Sequence, residues 1–401
     1  VGGIVAANTL RRLLPSEHRV VVMDRSAQHA FAASFPWVMV GWRRPNQVTR
    51  PLRRLVLPGV DVVAAEVRGL DAAARRVETT AGTFAYDYLT VALGADLAPD
   101  AVPGLAESAH TFYSLDGSAA LRDALFSFRG GKVAVVVAGL PYKCPGAPHE
   151  GAMLVADFLN RRSLDSASEV HLYTPEPGPL PVAGPALGDM VRAMLDERGV
   201  SFHPGKVLRS VEVAAKELVF DGGERAPYDL LVTIPPHRAP RVLQGTGLTN
   251  DAGWVPVDRS TLQAAAEGVY AIGDVAAIGL PGRWKAEVPL SLPKAGVFAH
   301  AQAKVVAQRI AAQALGTAPD AEFAGYGYCM LEAGRGRAGA AAGDFFAEPS
   351  PRVDLRPIRR TWHAGRVLFE QWWLAPSGLR KRLLGWALHA GGNAVGMPMD
   401  L

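Results

Sequence analysis

Cysteine is scarce in this 401-residue chain, which has only Cys144 and Cys329. Two thiols so far apart cannot make the disulfide framework of a small secreted scaffold. Neither has a His or Cys partner at ligand spacing, so no metal is expected. An excess of one charge is also missing: the net charge is +4, and no dense basic stripe interleaves with aromatics. Nucleic acid is therefore not expected as a partner. No apolar run nears the roughly 20 residues that cross a bilayer as a helix. The longest, around Val133–Leu140, reads as a buried parallel strand. No methionine precedes Val1, and the chain opens almost at once into a helical pattern. The expectation is a sequence truncated at its N-terminus, which leaves a signal sequence undecided.

One further absence points to chemistry. Lys132–Gly139 is a strand-like run ending in glycine, the way a dinucleotide-binding βα unit begins. A glycine-rich turn should follow, with backbone N–H groups that cradle a pyrophosphate. Instead the chain reads Lys143-Cys144-Pro145-Gly146-Ala147-Pro148. A cysteine stands where the phosphates of a nicotinamide cofactor would lie, which suggests thiol chemistry in place of nucleotide binding. Cys144 precedes a helix opened by Pro148, and the partial positive charge of a helix start lowers a thiol pKa. Glu150, in the same first turn, is either a proton acceptor or an acid that complements the helix dipole.

A chain of this length, 49% hydrophobic, can bury the cores of two or three domains. Gly3 fits the third glycine of G-x-G-x-x-G, and Asp24 ends the strand-like run His18–Asp24 about 20 residues on, where an acid binds ribose hydroxyls. Short strands are predicted at Gly59–Val67, Arg76–Thr80 and Thr83–Tyr86, then a buried strand within 86–95. A second round follows: strand Lys132–Gly139, helix Ala147–Asn160, strand Glu169–Thr174, helix Leu187–Arg198, and strands Val200–His203 and Tyr228–Ile234. The same order of elements occurring twice marks an internal repeat. Strand Gly268–Asp274 and a helix over about Lys294–Ala314 come next. The last segment is predicted to hold strands at Tyr326–Glu332 and Val367–Trp373 and a basic, apolar helix at Leu379–His389. The fold expected is α/β, with two Rossmann-like dinucleotide-binding domains and a C-terminal α+β segment. Residues 1–110 and 245–318 make a discontinuous first domain, 111–244 the second, and 319–401 a redox and membrane-interface domain.

Gly273-Asp274 at a strand end, the half fingerprint at Gly3, the Ala92-Leu93-Gly94 strand end and the repeated layout together resemble the flavoproteins with two dinucleotide domains. That family includes the disulfide reductases and the type II NADH dehydrogenases. The resemblance implies FAD, with Asp274 on the ribityl chain, Asp24 on the ribose, and Gly3 and Gly94 against the diphosphate. Arg25, Pro36, Val67 and Ala92 are its other implied contacts. Lys294 and Ala295, in Pro293-Lys294-Ala295-Gly296, would open a helix whose positive end faces the flavin.

The string Lys-Cys-Pro-Gly-Ala-Pro-x-Glu at 143–150 resembles the sulfide:quinone oxidoreductase branch. So do Leu231–Arg238, Leu292–Phe298, Tyr328-Cys329-Met330-Leu331-Glu332 and Phe369-Glu370-Gln371-Trp372-Trp373-Leu374. Many bacterial members carry a third cysteine, which this chain lacks. The resemblance implies a Cys144–Cys329 disulfide beside FAD, opened by sulfide, with two electrons passing to a membrane quinone. Tyr326, Phe369, Trp372 and Trp373 are either walls of a quinone pocket or ordinary core aromatics. Leu379, Leu383, Trp386 and Ala390 recur at helical spacing after Arg380-Lys381-Arg382. Such a helix suits a membrane interface, or docks on its own domain or a dimer partner. A peripheral protein of a bacterial cytoplasmic membrane is expected, with a homo-oligomer left open. The rivals are a sulfide dehydrogenase flavoprotein that donates to cytochrome c, a type II NADH:quinone dehydrogenase, and a flavoprotein module without activity.

Overall fold

The computed structural model describes residues 1–285 and 288–399. In the strand Gly131–Val137 every residue from Val133 to Val137 is buried. Burial on both faces fits only an inner strand of a parallel sheet covered by helices. The strand pairs in parallel with Ser168–Tyr173 on one side and Leu230–Ile234 on the other, and Val200–His203 lies outermost. Helices Ala147–Arg161 and Pro185–Glu197 belong to this unit, and Leu208–Glu212, Glu217–Phe220 and Arg225–Pro227 form its antiparallel excursion.

The first unit repeats that order. Helix Gly2–Leu13 leads to strand Val20–Asp24, which pairs in parallel with Val60–Ala64. Val67–Asp71, Arg76–Thr79 and Gly82–Ala85 make the antiparallel excursion. Leu89–Val91 then pairs in parallel with Val269–Ala271, so the chain leaves this unit, builds the second, and returns. The strand predicted within 86–95 is only these three residues. A cavity of about 1470 Å³ opens between the Val20–Asp24 and Leu89–Val91 strands and against the first helix.

Helix Gly296–Ala314 packs along Gly2–Leu13. Two glycines permit this approach. A Cβ on Gly2 would meet Ile272 at 2.8 Å, and one on Gly273, at φ +72°, would meet Ala299 at 3.0 Å.

The C-terminal segment is an antiparallel sheet of Tyr326–Glu332, Ala338–Asp344 and Arg352–Arg359, covered by helices Arg360–Leu374 and Leu379–Ala394. The strand expected at Val367–Trp373 is therefore helix. Its buried positions Trp362, Arg366, Glu370 and Trp373 follow a helical period, but two of them are charged. Charges on the inward face hid the amphipathic pattern, and the aromatic run suggested a strand. Among the described residues no helix is long and apolar enough to cross a membrane.

Candidate active site

Cys144 lies in the turn between the Gly131–Val137 strand and the helix Ala147–Arg161, at φ +58°. A non-glycine residue in this region costs free energy and persists only where its surroundings hold it. Two contacts supply that hold. The Cys144 N–H donates to the Lys294 carbonyl at 2.6 Å, and the Tyr113 hydroxyl donates to the Lys143 carbonyl at 2.9 Å. The thiol loop is thus fixed to the residues that open the helix Gly296–Ala314.

Cys329 comes from the strand Tyr326–Glu332, which packs on the helix that follows Cys144. A Cβ on Gly146 would meet Leu331 at 3.0 Å. Both cysteines are free and exposed to the cleft. They are near enough for the charge of Cys329 to raise the pKa of Cys144. Dense protein around the cleft is the main cause of that rise, with Cys329 and Glu150 adding to it. Cys329 is pushed up to about 11, first by burial and then by Glu150, while Arg366 opposes. Solvent in the cleft trims both shifts, and their direction stands. This direction differs from the lowering expected of the helix start, since the neighbouring Cys329 and Glu150 charges oppose half a helix charge.

Glu150 is held by Arg366 in a bidentate pair, both N–O distances 2.6 Å. It also accepts the Glu332 N–H at 3.3 Å. Arg366 donates further to the carbonyls of Met330 and Ala33, and stands 5.0 Å over the Trp37 ring. Arg43 covers Trp37 at 4.8 Å and pairs with Glu370 at 2.8 Å. Glu332, with its side chain 0% exposed, faces His363 Nδ1 through both oxygens at 2.9 and 3.0 Å. Arg366, Glu332, His363, Arg43 and Glu370 were not singled out from the sequence. The only local sign was Arg366 and Glu370 spaced four apart in an aromatic stretch.

The cofactor residues divide between two places. Gly3, Asp24, Arg25, Val67 and Ala92 line the large cavity. Lys294 and Ala295 line a small one beside Gly273. Pro36 is buried in the short helix Phe35–Met39 and lines neither, and Gly94 takes φ +72° at its strand end. The Asp274 carboxylate is half-buried and receives no side-chain hydrogen bond among the described residues. Burial raises its pKa, and Lys143 and Lys294 oppose that. An acceptor without a donor in a cleft fits the hydroxyls of a ribityl chain. Lys294 Nζ lies 3.5 Å over the Trp254 ring and donates to the Asp274 carbonyl. Burial brings its pKa down to about 8, with Asp274 opposing. Asp274→Ala is expected to lose about 1–3 kcal/mol of flavin binding, read as a lower flavin-to-protein ratio after gel filtration. Full occupancy in that variant would remove Asp274 from the site.

The aromatic candidates are not all together. Phe369, Trp372 and Trp373 share one cluster with Phe31. Tyr326 belongs to another, with Trp362 and Met397. Trp373 Nε1 donates to His29 Nε2 at 2.9 Å, and His29 lines the large cavity. The final helix docks by Leu388 and Leu384 and leaves Leu379, Leu383 and Trp386 at 71%, 58% and 72% exposed. Lys381 turns inward, donating to the Trp373 and Ala375 carbonyls at 3.3 Å and lying 5.0 Å over Trp372. It therefore caps the preceding helix, and the outward basic residues are Arg380 and Arg382.

Comparison with known proteins agrees with this architecture. Residues 1–303 match the family model of the pyridine nucleotide-disulphide oxidoreductases. The mitochondrial sulfide:quinone oxidoreductase of Mus musculus is 26% identical over 366 residues, spanning 87% of this chain and 77% of the relative. The sulfide-quinone reductase of Aquifex aeolicus (strain VF5) is 26% identical over 392 residues, 93% of this chain and 88% of that protein. The crystal structure of the sulfide:quinone oxidoreductase from Aquifex aeolicus superposes with a TM-score of 0.82 at 22% identity, covering 97% of this chain and 90% of that one. The chain belongs to the pyridine nucleotide-disulphide oxidoreductase family.

Proposed function

We propose that this oxidoreductase binds FAD, oxidises sulfide at Cys144 and Cys329, and reduces a membrane quinone. The observation that carries the reading is the packing of two cysteine-bearing segments from distant parts of the chain, the helix after Cys144 against the Cys329 strand. One hangs from the Lys294 carbonyl, two residues before the helix Gly296–Ala314, and the Lys294 side chain donates to the Asp274 carbonyl.

FAD held by Gly3, Asp24, Asp274 and Lys294 would supply the two-electron carrier between thiols and quinone. The chain's own residues do the rest. Hydrosulfide attacks one sulfur of a Cys144–Cys329 disulfide, a new S–S bond forms, and the old bonding pair leaves as thiolate on the other cysteine. Arg366 opposes the rise in the Cys329 pKa and so stabilises that thiolate. Tyr113 and Lys294 hold the Cys144 loop in place for the attack.

Tyr142 supports sulfide over NADH as donor. Its ring is 6% exposed, and its hydroxyl donates to Glu176 Oε2 at 2.7 Å. It thereby bridges the ends of two parallel strands, across the crevice where a dinucleotide binds in such domains. Anaerobic titration is the direct test: sulfide bleaches the flavin absorbance and NADH does not. Bleaching by NADH alone overturns the assignment.

The exposed face of the last helix supports attachment to a membrane surface. Burying Leu383 and Trp386 contributes about 1.5–3 kcal/mol each, and Arg380 and Arg382 about 1 kcal/mol each near anionic lipid. Leu383→Glu with Trp386→Glu is expected to lower binding to anionic vesicles more than tenfold in a sedimentation assay and to slow quinone reduction. Flavin bleaching by sulfide should persist. Unchanged sedimentation would make the helix a structural or dimer element.

A further inference from the structure

The charge count around the thiols leaves a problem that Glu332 and His363 solve. Glu150 and Arg366 neutralise each other as a bidentate pair. Glu332 then adds a second carboxylate, whose side-chain partner among the described residues is His363. From the helix Ala147–Arg161 Glu332 faces Glu150, and from Arg360–Leu374 it faces Arg366 and His363. Its partner on the adjacent strand is Ala338, which carries no charge. Helix Gly296–Ala314 reaches the strand at its other end, where Phe298 lies against Gly327. Opening a disulfide with hydrosulfide places one further negative charge here, beside a guanidinium that already serves two carboxylates.

We infer that Glu332 and His363 form a proton-accepting pair that offsets the thiolate charge created when the cysteine disulfide is opened, with His363 as the side that meets solvent. The inference rests on the sulfide reading above. In the step concerned, hydrosulfide and the disulfide give a persulfide and a thiolate, and one proton enters from water through His363 to Glu332. No electron is added or lost beyond the pair that moves from the broken S–S bond to the leaving sulfur.

Geometry favours this pair over Glu150. Both Glu150 oxygens are taken by the Arg366 guanidinium. Both Glu332 oxygens face the His363 imidazole, at 2.9 and 3.0 Å from Nδ1, where a proton can pass between ring and carboxylate. The Glu332 side chain is fully buried, whereas that of His363 is 26% exposed and reaches the surface between Trp37 and Trp42. Burial raises the Glu332 pKa, Arg366 opposes, and Glu150 raises it further. Glu332 touches neither sulfur. It acts on them through Arg366, which faces both Glu332 and Cys329.

The test reads the thiol and needs no turnover. Holoprotein with its disulfide reduced is labelled with monobromobimane from pH 6 to 10, and modified Cys329 is counted by mass spectrometry. Glu332→Gln keeps the shape and removes the charge, so the labelling profile should move about one unit to lower pH, with about tenfold faster labelling at pH 7. Glu332→Asp should restore the wild-type profile. His363→Asn leaves the buried carboxylate without its partner and keeps it protonated, so its profile should move the same way. Glu332→Gln and His363→Asn profiles that superpose on wild type overturn the inference, and His363→Asn alone decides it should the first variant not fold. The two readings fail separately. Wild-type flavin that sulfide does not bleach removes the sulfide assignment, even with the labelling shift present.

Discussion

Cys144→Ser and Cys329→Ser are each expected to lower the rate of flavin reduction by sulfide roughly 10³-fold or more, while flavin content stays at the wild-type level. Serine replaces sulfur by oxygen with little change of volume, so the turn at Cys144 keeps its hydrogen bond to Lys294 and the Cys329 strand keeps its register. On the proposed mechanism, what disappears is the Cys144–Cys329 disulfide that hydrosulfide attacks. The two losses should not add, because either substitution removes the same bond. Rapid mixing of the anaerobic variants with sulfide gives the rates. A Cys329→Ser enzyme that still bleaches at the wild-type rate would show that Cys144 works without it. The Cys144 turn would then need a thiol from outside this chain or a different donor.

Arg366→Met is expected to lower stability by about 3–5 kcal/mol, read as an earlier urea midpoint. The side chains of Arg366 and Glu150 are 10% and 5% exposed, so the carboxylate left behind is buried without its counter-charge and keeps the Glu332 N–H at 3.3 Å as donor. The carbonyls of Met330 and Ala33 lose their donors in the same substitution. Pairing Arg366→Met with Glu150→Gln removes the orphaned charge and should recover most of the loss. This cycle separates the ion pair from the helix that carries it. Equal midpoints for the wild type and the single variant would mean that Arg366 does not fasten the C-terminal helix to the thiol loop. That fastening matters for function, since the same guanidinium joins helix Arg360–Leu374, the segment at Ala33 and the Cys329 strand.

Local periodicity and punctuation settled much of this protein. The all-buried valine run at 133–137 identified an inner parallel strand, and Pro148 with the following apolar spacing identified the helix after Cys144. The order of elements, occurring twice along the chain, carried the two-unit α/β fold without any long-range information. Cys144 stood out because a glycine turn was missing there, and Asp274 because it ends a strand at a glycine. These features are legible because each depends on neighbours a few residues away.

Tertiary structure alone decided the rest. Arg366 and Glu370 look like surface charges in sequence, and only their partners Glu150, Arg43 and Ser34, hundreds of residues away, make burying them tolerable. That is why helix Arg360–Leu374 was misread. The direction of the thiol pKa depended on the protein packed around the cleft and on Glu150, not on the helix start beside Cys144. Lys381 reads as one of three lipid-facing cations, yet helix ends and a tryptophan ring lie within its reach and draw it inward. A sequence shows where a charge sits along the chain; whether that charge meets water or a counter-charge is decided when distant segments pack, because the cost of burying it depends on the partner they bring.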